Sequence, residues 1–186
     1  MNSVALLIGG NQGDRHRLIE QATELIRERI GSVVASSRLY ETEPWGDFGD
    51  DRPQDFLNQA LLVETELGPH ETLCQALAIE SLLGRQRPPL ITPHSSLNTQ
   101  PSPLSALHSP LSTLHSPLST PHYSSRPMDI DLIFWNDETI DTPDLIIPHP
   151  RMHLRRFVLE PLAEIMPHYR HPLLGLTVEE LLDRVD

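Results

Sequence analysis

The spacing of apolar residues divides the first half of the chain into strands and helices. Residues 3–9 form a continuous apolar run, which predicts a buried strand. Residues 18–30 repeat apolar side chains every three or four positions, which predicts an amphipathic helix ending at Gly31. The same criteria predict strands at 33–42 and 56–67 and a helix at 69–83, which has a proline in its first turn.

The second half of the chain continues this alternation after residue 125. An apolar, β-branched run at 126–135 predicts a strand, followed by a hairpin-like piece at 137–142 and a loop at 143–150. Helical patterns follow at 155–165 and 177–185. The order strand-helix-strand-strand-helix-strand predicts an α+β fold. We expect a ferredoxin-like α/β sandwich, in which helices pack on one face of an antiparallel sheet.

Residues 88–125 differ from everything around them because they contain no charged side chain. Proline and serine dominate, and the seven residues 107–113 are nearly repeated at 114–120. Proline in every repeat prevents a helix or a sheet from propagating. We therefore predict one domain, residues 1–186, that is interrupted by a disordered low-complexity insertion at 88–122. The repeat also explains the spacing of its four histidines, so a metal site there is disfavoured.

Two aspartates in the predicted strand 126–135 carry the strongest chemical signal. Asp129 and Asp131 are separated by one residue, so on a strand both side chains project from the same face. Adjacent carboxylates repel each other, and Mg²⁺ removes that repulsion when it is held by one or two carboxylates together with substrate phosphates. The spacing therefore favours a magnesium site. The alternative is a pair of solvated acids on an edge strand.

Composition restricts the chemistry that can accompany this pair. A net charge of −12 disfavours nucleic acid and acidic membranes as partners. All 14 basic residues are arginines, and the absence of lysine excludes P-loop, protein-kinase and Schiff-base chemistry. Any phosphate must therefore be bound by arginine, metal or backbone amides. The single cysteine excludes an internal disulfide.

Neither a secretory signal pattern nor a long apolar run is found in the sequence. We therefore expect a cytoplasmic protein with no membrane partner. We further expect it to act as a monomer.

Six motifs along the chain occur in an order that closely resembles one family. They are Gly9-Gly10-Asn11-Gln12-Gly13-Asp14-Arg15, Tyr40-Glu41-Thr42-Glu43-Pro44-Trp45-Gly46, Phe56-Leu57-Asn58-Gln59-Ala60, Leu83-Gly84-Arg85-Gln86-Arg87 preceded by Glu80, Arg126-Pro127-Met128-Asp129-Ile130-Asp131, and a final segment from Ile147 to Leu159. Together they resemble the 6-hydroxymethyl-7,8-dihydropterin pyrophosphokinases of the folate pathway. The resemblance covers the chain except for residues 88–122.

This resemblance implies a reaction and a set of substrates. The expected activity is transfer of the β,γ-diphosphate of ATP to the hydroxymethyl group of the dihydropterin, with release of AMP. In the family two Mg²⁺ ions are held by the acids that match Asp129 and Asp131. This agrees with the magnesium site that the spacing favours, since metal between carboxylates and phosphate oxygens neutralises charge in an in-line displacement.

The resemblance also assigns roles to individual positions. The catalytic arginines that match are Arg85, Arg87 and Arg126. The positions that match ATP contacts are Glu80, Arg85, Tyr123, Ile130, His149 and Arg155. The positions that match the pterin pocket are Thr42, Pro44, Trp45, Phe56, Asn58 and Phe157.

Simpler explanations remain open for several of these positions. Arg85 and Arg87 also suit a basic helix C-terminus, and Glu80 also suits a solvated helix acid. His149 also suits a turn between two prolines, and Phe157 also suits ordinary core packing.

Three features depart from the family pattern. Gly10 stands where the family usually has serine. Tyr123-Ser124-Ser125 replaces the usual Trp-Gly-Pro before Arg126. The insertion falls in the segment that closes over both substrates in the family, and its length adds entropy to be lost on closure.

We therefore expect a working enzyme that is slower or binds more weakly. A catalytically impaired nucleotide- or pterin-binding relative is one alternative to this enzyme. A metal-dependent phosphohydrolase built on the aspartate pair is another.

Overall fold

The computed structural model of the chain describes residues 1–46, 53–85 and 125–185. Over these residues five strands form one antiparallel sheet: β1 (Asn2–Gly10), β2 (Ser32–Ser36), β3 (Tyr40–Thr42), β4 (Phe56–Thr65) and β5 (Asp129–Trp135). The strand order is β2-β4-β1-β5, and β3 pairs with the first residues of β4. This is the strand order of a ferredoxin-like fold, as the sequence predicted.

Helices cover both faces of this sheet. On one face lie α1 (Arg15–Arg29) and α2 (Pro69–Leu82), which pack against Val4, Leu6 and Ile8 of β1. On the other face lie α3 (Arg156–Ile165) and α4 (Val178–Leu182), which pack against Ala5 and Leu7. The expectation of helices on one face is therefore incomplete. Because β1 is buried on both faces, its sequence is continuously apolar.

The predicted strand at 33–42 is in fact two strands, β2 and β3, separated at Ser37. The Ser37 hydroxyl accepts a hydrogen bond from the backbone N–H of Ala60 at 3.0 Å. In a regular pair of strands a backbone carbonyl would be the acceptor. The Ser37 carbonyl instead accepts from the Gln59 side chain at 2.7 Å. Side-chain hydrogen bonds of this kind compete with regular pairing.

The segment after β5 is more ordered than the predicted loop at 143–150. Two short strands, β6 (Ile140–Asp141) and β7 (Ile146–Ile147), pair in antiparallel fashion. Thr142 closes the turn between them, because its hydroxyl oxygen accepts from the Leu145 N–H at 3.2 Å. A 3-10 turn, Met152–Leu154, then leads into α3.

The remaining helices and strands agree with the sequence to within a few residues. The predicted insertion at 88–122, together with Arg87 and Tyr123, lies outside the described residues. Among the helices that the structure does describe, none is long and apolar enough to cross a membrane.

Candidate active site

The aspartate pair lies on β5 at the point where three strands run side by side. Asp129 is paired with Gly9 of β1, and Gly9 is paired with Asn58 of β4. Residues opposite each other on antiparallel strands share a face. Asp129, Asp131 and Asn58 therefore lie on the α3 side of the sheet, and Met128, Ile130 and Leu132 are buried on the other side, as predicted.

Gly9 leaves the space between these side chains open. A Cβ atom at this position would lie 2.2 Å from the Asn58 Oδ1 atom and 2.9 Å from the Leu57 carbonyl oxygen. No side chain fits there without displacing Asn58, whose amide donates to the Thr42 hydroxyl at 2.8 Å. Glycine thus provides a flat floor between a carboxamide and a carboxylate.

A cavity that is partly open to solvent stands on this floor. Carboxylates, guanidinium groups and aromatic rings all line this cavity. The lining residues are Leu7, Gly9, Thr42, Glu43, Trp45, Phe56, Asn58, Arg126, Asp129, Asp131, Arg155 and Phe157.

Arginine and aromatic side chains alternate along the cavity wall. The Arg155 guanidinium lies 4.7 Å from the ring centroid of Trp45 and 5.6 Å from that of Phe157. The Arg126 guanidinium lies 5.9 Å from the Phe56 ring. Cations at these distances are attracted to the ring faces. The same wall can therefore stack on a flat ring and attract an anion next to it.

Two arginines neutralise Asp129. The carboxylate oxygen Oδ1 accepts from Arg85 Nη1, and Oδ2 lies 3.0 Å from Arg126 Nε. Glu80, on α2, is buried next to Arg85. Its Oε1 atom accepts from Arg85 Nη1 at 2.7 Å and from the backbone N–H of Ile130 at 2.8 Å. Glu80 thereby ties Arg85 to the strand that carries both aspartates.

Asp131 is held in a different environment. Burial, and then the nearby charge of Asp129, raise its pKa well above the usual value, against the opposing effect of Arg126 and Arg155. Two close carboxylates whose negative charge is only partly balanced by nearby arginines are suited to bind a divalent cation. In the described part of the chain no group of three or more His, Cys, Asp or Glu side chains forms a closed metal cluster.

A second, more open cavity lies between α2 and the β6–β7 segment. Its walls combine apolar and polar surface, and it is lined by Leu73, Leu77, Ile130, Asp131, Leu132, Pro143, Asp144, Leu145, Ile146, His149 and Pro150. Desolvation, together with the charges of Arg155 and Arg151, lowers the pKa of His149 to about 4. His149 is therefore neutral near pH 7. Asp131 lines both cavities, so the two meet at the aspartate pair.

The structure brings together most of the residues that the sequence assigned. The aromatic-walled cavity contains Thr42, Trp45, Phe56, Asn58, Arg126, Asp129, Asp131, Arg155 and Phe157. Ile130 and His149 line the second cavity. Pro44 lines neither cavity, although its neighbours on both sides line the first.

Neither Glu80 nor Arg155 lines the second cavity. Glu80 is not a solvated helix acid, because it is buried and hydrogen-bonded to Arg85. Arg155 lies against Trp45 in the aromatic-walled cavity and is not among the residues that line the second one.

Other residues of the site were not among the sequence assignments. Gly9 was quoted only as part of a motif, although a Gly-Gly pair ending a buried strand also signals close approach of another group. Glu43 was quoted as part of a motif and given no role, yet it lines the first cavity. Leu73 and Leu77 carry no signal that separates a cavity wall from ordinary helix packing.

Comparison with known proteins gives a consistent result. The family model described as 7,8-dihydro-6-hydroxymethylpterin-pyrophosphokinase (HPPK) matches residues 5–95 and 94–167. A 2-amino-4-hydroxy-6-hydroxymethyldihydropteridine pyrophosphokinase from Porphyromonas gingivalis is 35% identical over 173 residues, which is 92% of this chain and 95% of the relative. The proteins of the same name from Bacillus subtilis and Methylorubrum extorquens are 35% and 32% identical, over 89% and 100% of this chain and 79% and 95% of those relatives.

Solved structures with the same fold come from larger proteins. A structure described as HPPK-DHPS in complex with substrates superimposes with a TM-score of 0.68 at 15% identity, covering 98% of this chain and 43% of that one. A Plasmodium falciparum HPPK-DHPS triple mutant gives a TM-score of 0.66 at 17% identity, with the same coverage of 98% and 43%. This chain therefore spans less than half the length of these structures, and at such identities they establish the fold alone.

Proposed function

The chain belongs to the 7,8-dihydro-6-hydroxymethylpterin-pyrophosphokinase (HPPK) family, and we propose how its site performs that reaction. The reaction is ATP-dependent transfer of pyrophosphate to hydroxymethyldihydropterin in folate biosynthesis. In our proposal the aromatic-walled cavity binds the pterin and the second cavity binds ATP. The aspartate pair between them is the place of transfer.

The observation that supports this arrangement most directly is that Asp131 lines both cavities. Two substrates bound in these cavities would present their reacting ends to the same carboxylate pair. Holding two reactants in contact removes most of the entropic part of a bimolecular barrier. The transfer itself has little covalent chemistry for a protein to perform, so positioning and electrostatics suffice.

Flat aromatic rings and one carboxamide equip the first cavity for a pterin. A pterin is a flat heterocycle with an amide-like edge, which needs stacking partners and hydrogen-bonding groups in one plane. Phe56, Trp45 and Phe157 supply the rings. Asn58 supplies the carboxamide, and its amide nitrogen is already oriented by the Thr42 hydroxyl.

The second cavity offers apolar side chains for contact with a nucleotide base, and the arginines beside the aspartate pair can bind the phosphates of the nucleotide. Leu73, Leu77 and Leu145 provide apolar contacts. His149 is neutral and can accept or donate a hydrogen bond without adding charge. The guanidinium groups of Arg85 and Arg126, which now contact Asp129, lie where they can turn from the carboxylate to phosphate oxygens. Arg87 and Tyr123 remain proposed contacts on the basis of the resemblance.

Magnesium fits the residues that are present. Asp129 and Asp131 would hold it, and we propose two ions, as in the family. When bound, the metal would neutralise the charge that develops on the transferred group. Glu80 accepts hydrogen bonds from both Arg85 and the Ile130 backbone. It thereby holds the phosphate-binding arginine close to the two aspartates, so that all three groups can contact the same phosphate.

We further propose a single domain that acts as a cytoplasmic monomer.

One assay distinguishes this proposal from its alternatives. The full-length protein is incubated with ATP, Mg²⁺ and 6-hydroxymethyl-7,8-dihydropterin, and AMP is followed by chromatography. AMP that forms only with pterin present supports the proposal. Substrate binding without AMP would identify an impaired relative, and phosphate release without pterin would identify a phosphohydrolase.

A further inference from the structure

A buried asparagine joins three segments next to Arg126. Asn11 follows β1, and its side-chain nitrogen donates to the Gln54 carbonyl at 3.2 Å and to the Ser125 hydroxyl at 3.1 Å. Its side-chain oxygen accepts from the Arg126 N–H at 2.9 Å. Its backbone N–H donates to the Arg126 carbonyl at 3.0 Å. Both backbone groups of Arg126 are thus bonded to one residue, which is only 2% exposed.

The neighbouring Gly10 allows this close approach. A Cβ atom at position 10 would lie 2.1 Å from the Pro127 carbonyl oxygen and 3.1 Å from the Arg126 carbonyl oxygen. Backbone atoms cannot give way as the end of a flexible side chain can. Any residue other than glycine would therefore push residues 126–127 away from β1 and weaken the bonds between Asn11 and Arg126.

We propose that Asn11 and Ser125 are positioning residues that fix Arg126 for phosphate binding. The proposal rests on the function proposed above for Arg126. A side chain can reach a target only if its own backbone is fixed, and Arg126 Nε lies 3.0 Å from Asp129 Oδ2 in the present arrangement. The Ser125 hydroxyl adds a further hydrogen bond, because its oxygen accepts from one of the two N–H groups of the Asn11 side-chain amide.

Two of the departures from the family pattern meet at this place. Serine at position 10 would bring a Cβ atom into the Pro127 carbonyl, and proline at position 125 would remove the hydroxyl that Asn11 contacts. Gly10 and Ser125 therefore belong to one local arrangement. It anchors the chain directly before Arg126.

The test uses Ser125→Ala, Ser125→Thr and Asn11→Asp in the full chain. Ser125→Ala should lower kcat about threefold to tenfold, the size expected for one hydrogen bond, and Ser125→Thr should retain the wild-type value. Asn11→Asp should lower kcat further, because a carboxylate oxygen would face the Gln54 carbonyl. In an Arg126→Ala background Ser125→Ala should change kcat less than about twofold, since its effect passes through Arg126.

A second readout needs no turnover. Exchange of the Arg126 amide hydrogen, followed by NMR, should be at least about threefold faster in Ser125→Ala and Asn11→Asp. The matched control is Ser37→Ala, which removes a hydroxyl that likewise accepts one hydrogen bond, outside the site. That control should leave both kcat and Arg126 exchange unchanged.

Unchanged Arg126 exchange in Ser125→Ala would overturn the proposal whether or not the enzyme turns over. An equal loss of kcat with and without Arg126 would also overturn it. Failure of the wild-type protein to form AMP would instead count against the proposed function.

Discussion

At the scale of single residues, Asp129 and Asp131 carry the same group in unequal surroundings. Asp129 contacts two guanidinium groups, whereas Asp131 is more strongly desolvated and its pKa is raised. The alternation of a strand made the shared face of this pair predictable from the sequence. The arginine partners were predictable only through the resemblance, since no local pattern brings Arg85 across 44 positions to Asp129.

The first prediction concerns this pair. Asp129→Asn and Asp131→Asn should each abolish turnover, a loss of at least about a thousandfold, because an amide cannot replace the charge that binds the metal. Circular dichroism and thermal melting should show that both variants fold. Asp141→Asn, an exposed aspartate on a strand outside both cavities, is the control and should keep wild-type rates. Near-normal turnover in either site variant would refute the metal assignment.

The second prediction concerns His149 and pH. Its pKa is about 4 in the folded protein, against 6.5 for the free side chain. Between these values the unfolded chain binds more protons, so this histidine contributes stability that is complete above about pH 6.5 and is lost as the pH falls towards 4. The full contribution should be about 1–3 kcal/mol.

Urea unfolding of the wild type and of His149→Gln, near pH 7 and near pH 4.5, measures the contribution of His149 to the free energy of unfolding. The shift of Asp131 has the opposite sign, but it is present in both proteins and cancels in the difference between them. The wild type should lose more stability than the variant on acidification. Parallel losses would contradict the assigned pKa.

At the scale of elements, one buried acid connects α2 to β5. Glu80 lies near the end of α2 and accepts hydrogen bonds from Arg85, just beyond the helix, and from Ile130, between the two aspartates. The apolar, β-branched run of β5 made that strand predictable, and the proline in the first turn of α2 marked the start of that helix. The break between β2 and β3 was not, because it depends on which partner the Ser37 hydroxyl finds on β4.

The third prediction follows from this connection. Glu80→Ala should lower the free energy of unfolding by about 2–4 kcal/mol, because it leaves the partly buried Arg85 guanidinium with Asp129 but without Glu80 and leaves the Ile130 N–H unbonded. Glu80→Gln keeps an acceptor for Ile130 and should cost about 1–2 kcal/mol. Exposed Glu66→Gln is the control and should stay within about 0.5 kcal/mol of wild type. Equal effects of Glu80→Ala and Glu66→Gln in urea unfolding would contradict the role of Glu80.

At the scale of the whole molecule, the topology of the sheet brings the described residues of the site together. Strand order β2-β4-β1-β5 brings Asn58, Gly9 and Asp129 into one row, and α3 adds Phe157 above it. The order of elements made this topology predictable. The sequence did not predict the helices on the second face of the sheet. The amphipathic pattern of α3 indicates that one side of this helix is buried, but it does not indicate which face of the sheet the helix packs against.

The fourth prediction concerns the charge-free insertion. Arg85 and Arg126 both contact Asp129, so the segment between them has its ends close together. Deleting residues 90–121 shortens the stretch 86–124 from 39 to 7 residues and lowers its closure cost by about 1.5 kcal/mol. Turnover or substrate affinity should therefore improve, by up to about tenfold. Replacing 90–121 with a Gly/Ser segment of equal length should not give this gain. Unchanged steady-state kinetics after the deletion would contradict the prediction.

The most direct test of the account asks which phosphorus atom reaches the pterin. ATP labelled at the β-phosphorus is incubated with the wild-type protein, Mg²⁺ and 6-hydroxymethyl-7,8-dihydropterin, and the products are separated. If the aspartate pair and its arginines transfer a diphosphate in one step, all of the label should leave the nucleotide. It should appear in the pterin product, with one unlabelled AMP formed for each product molecule. Labelled ADP together with a pterin monophosphate would contradict the central claim.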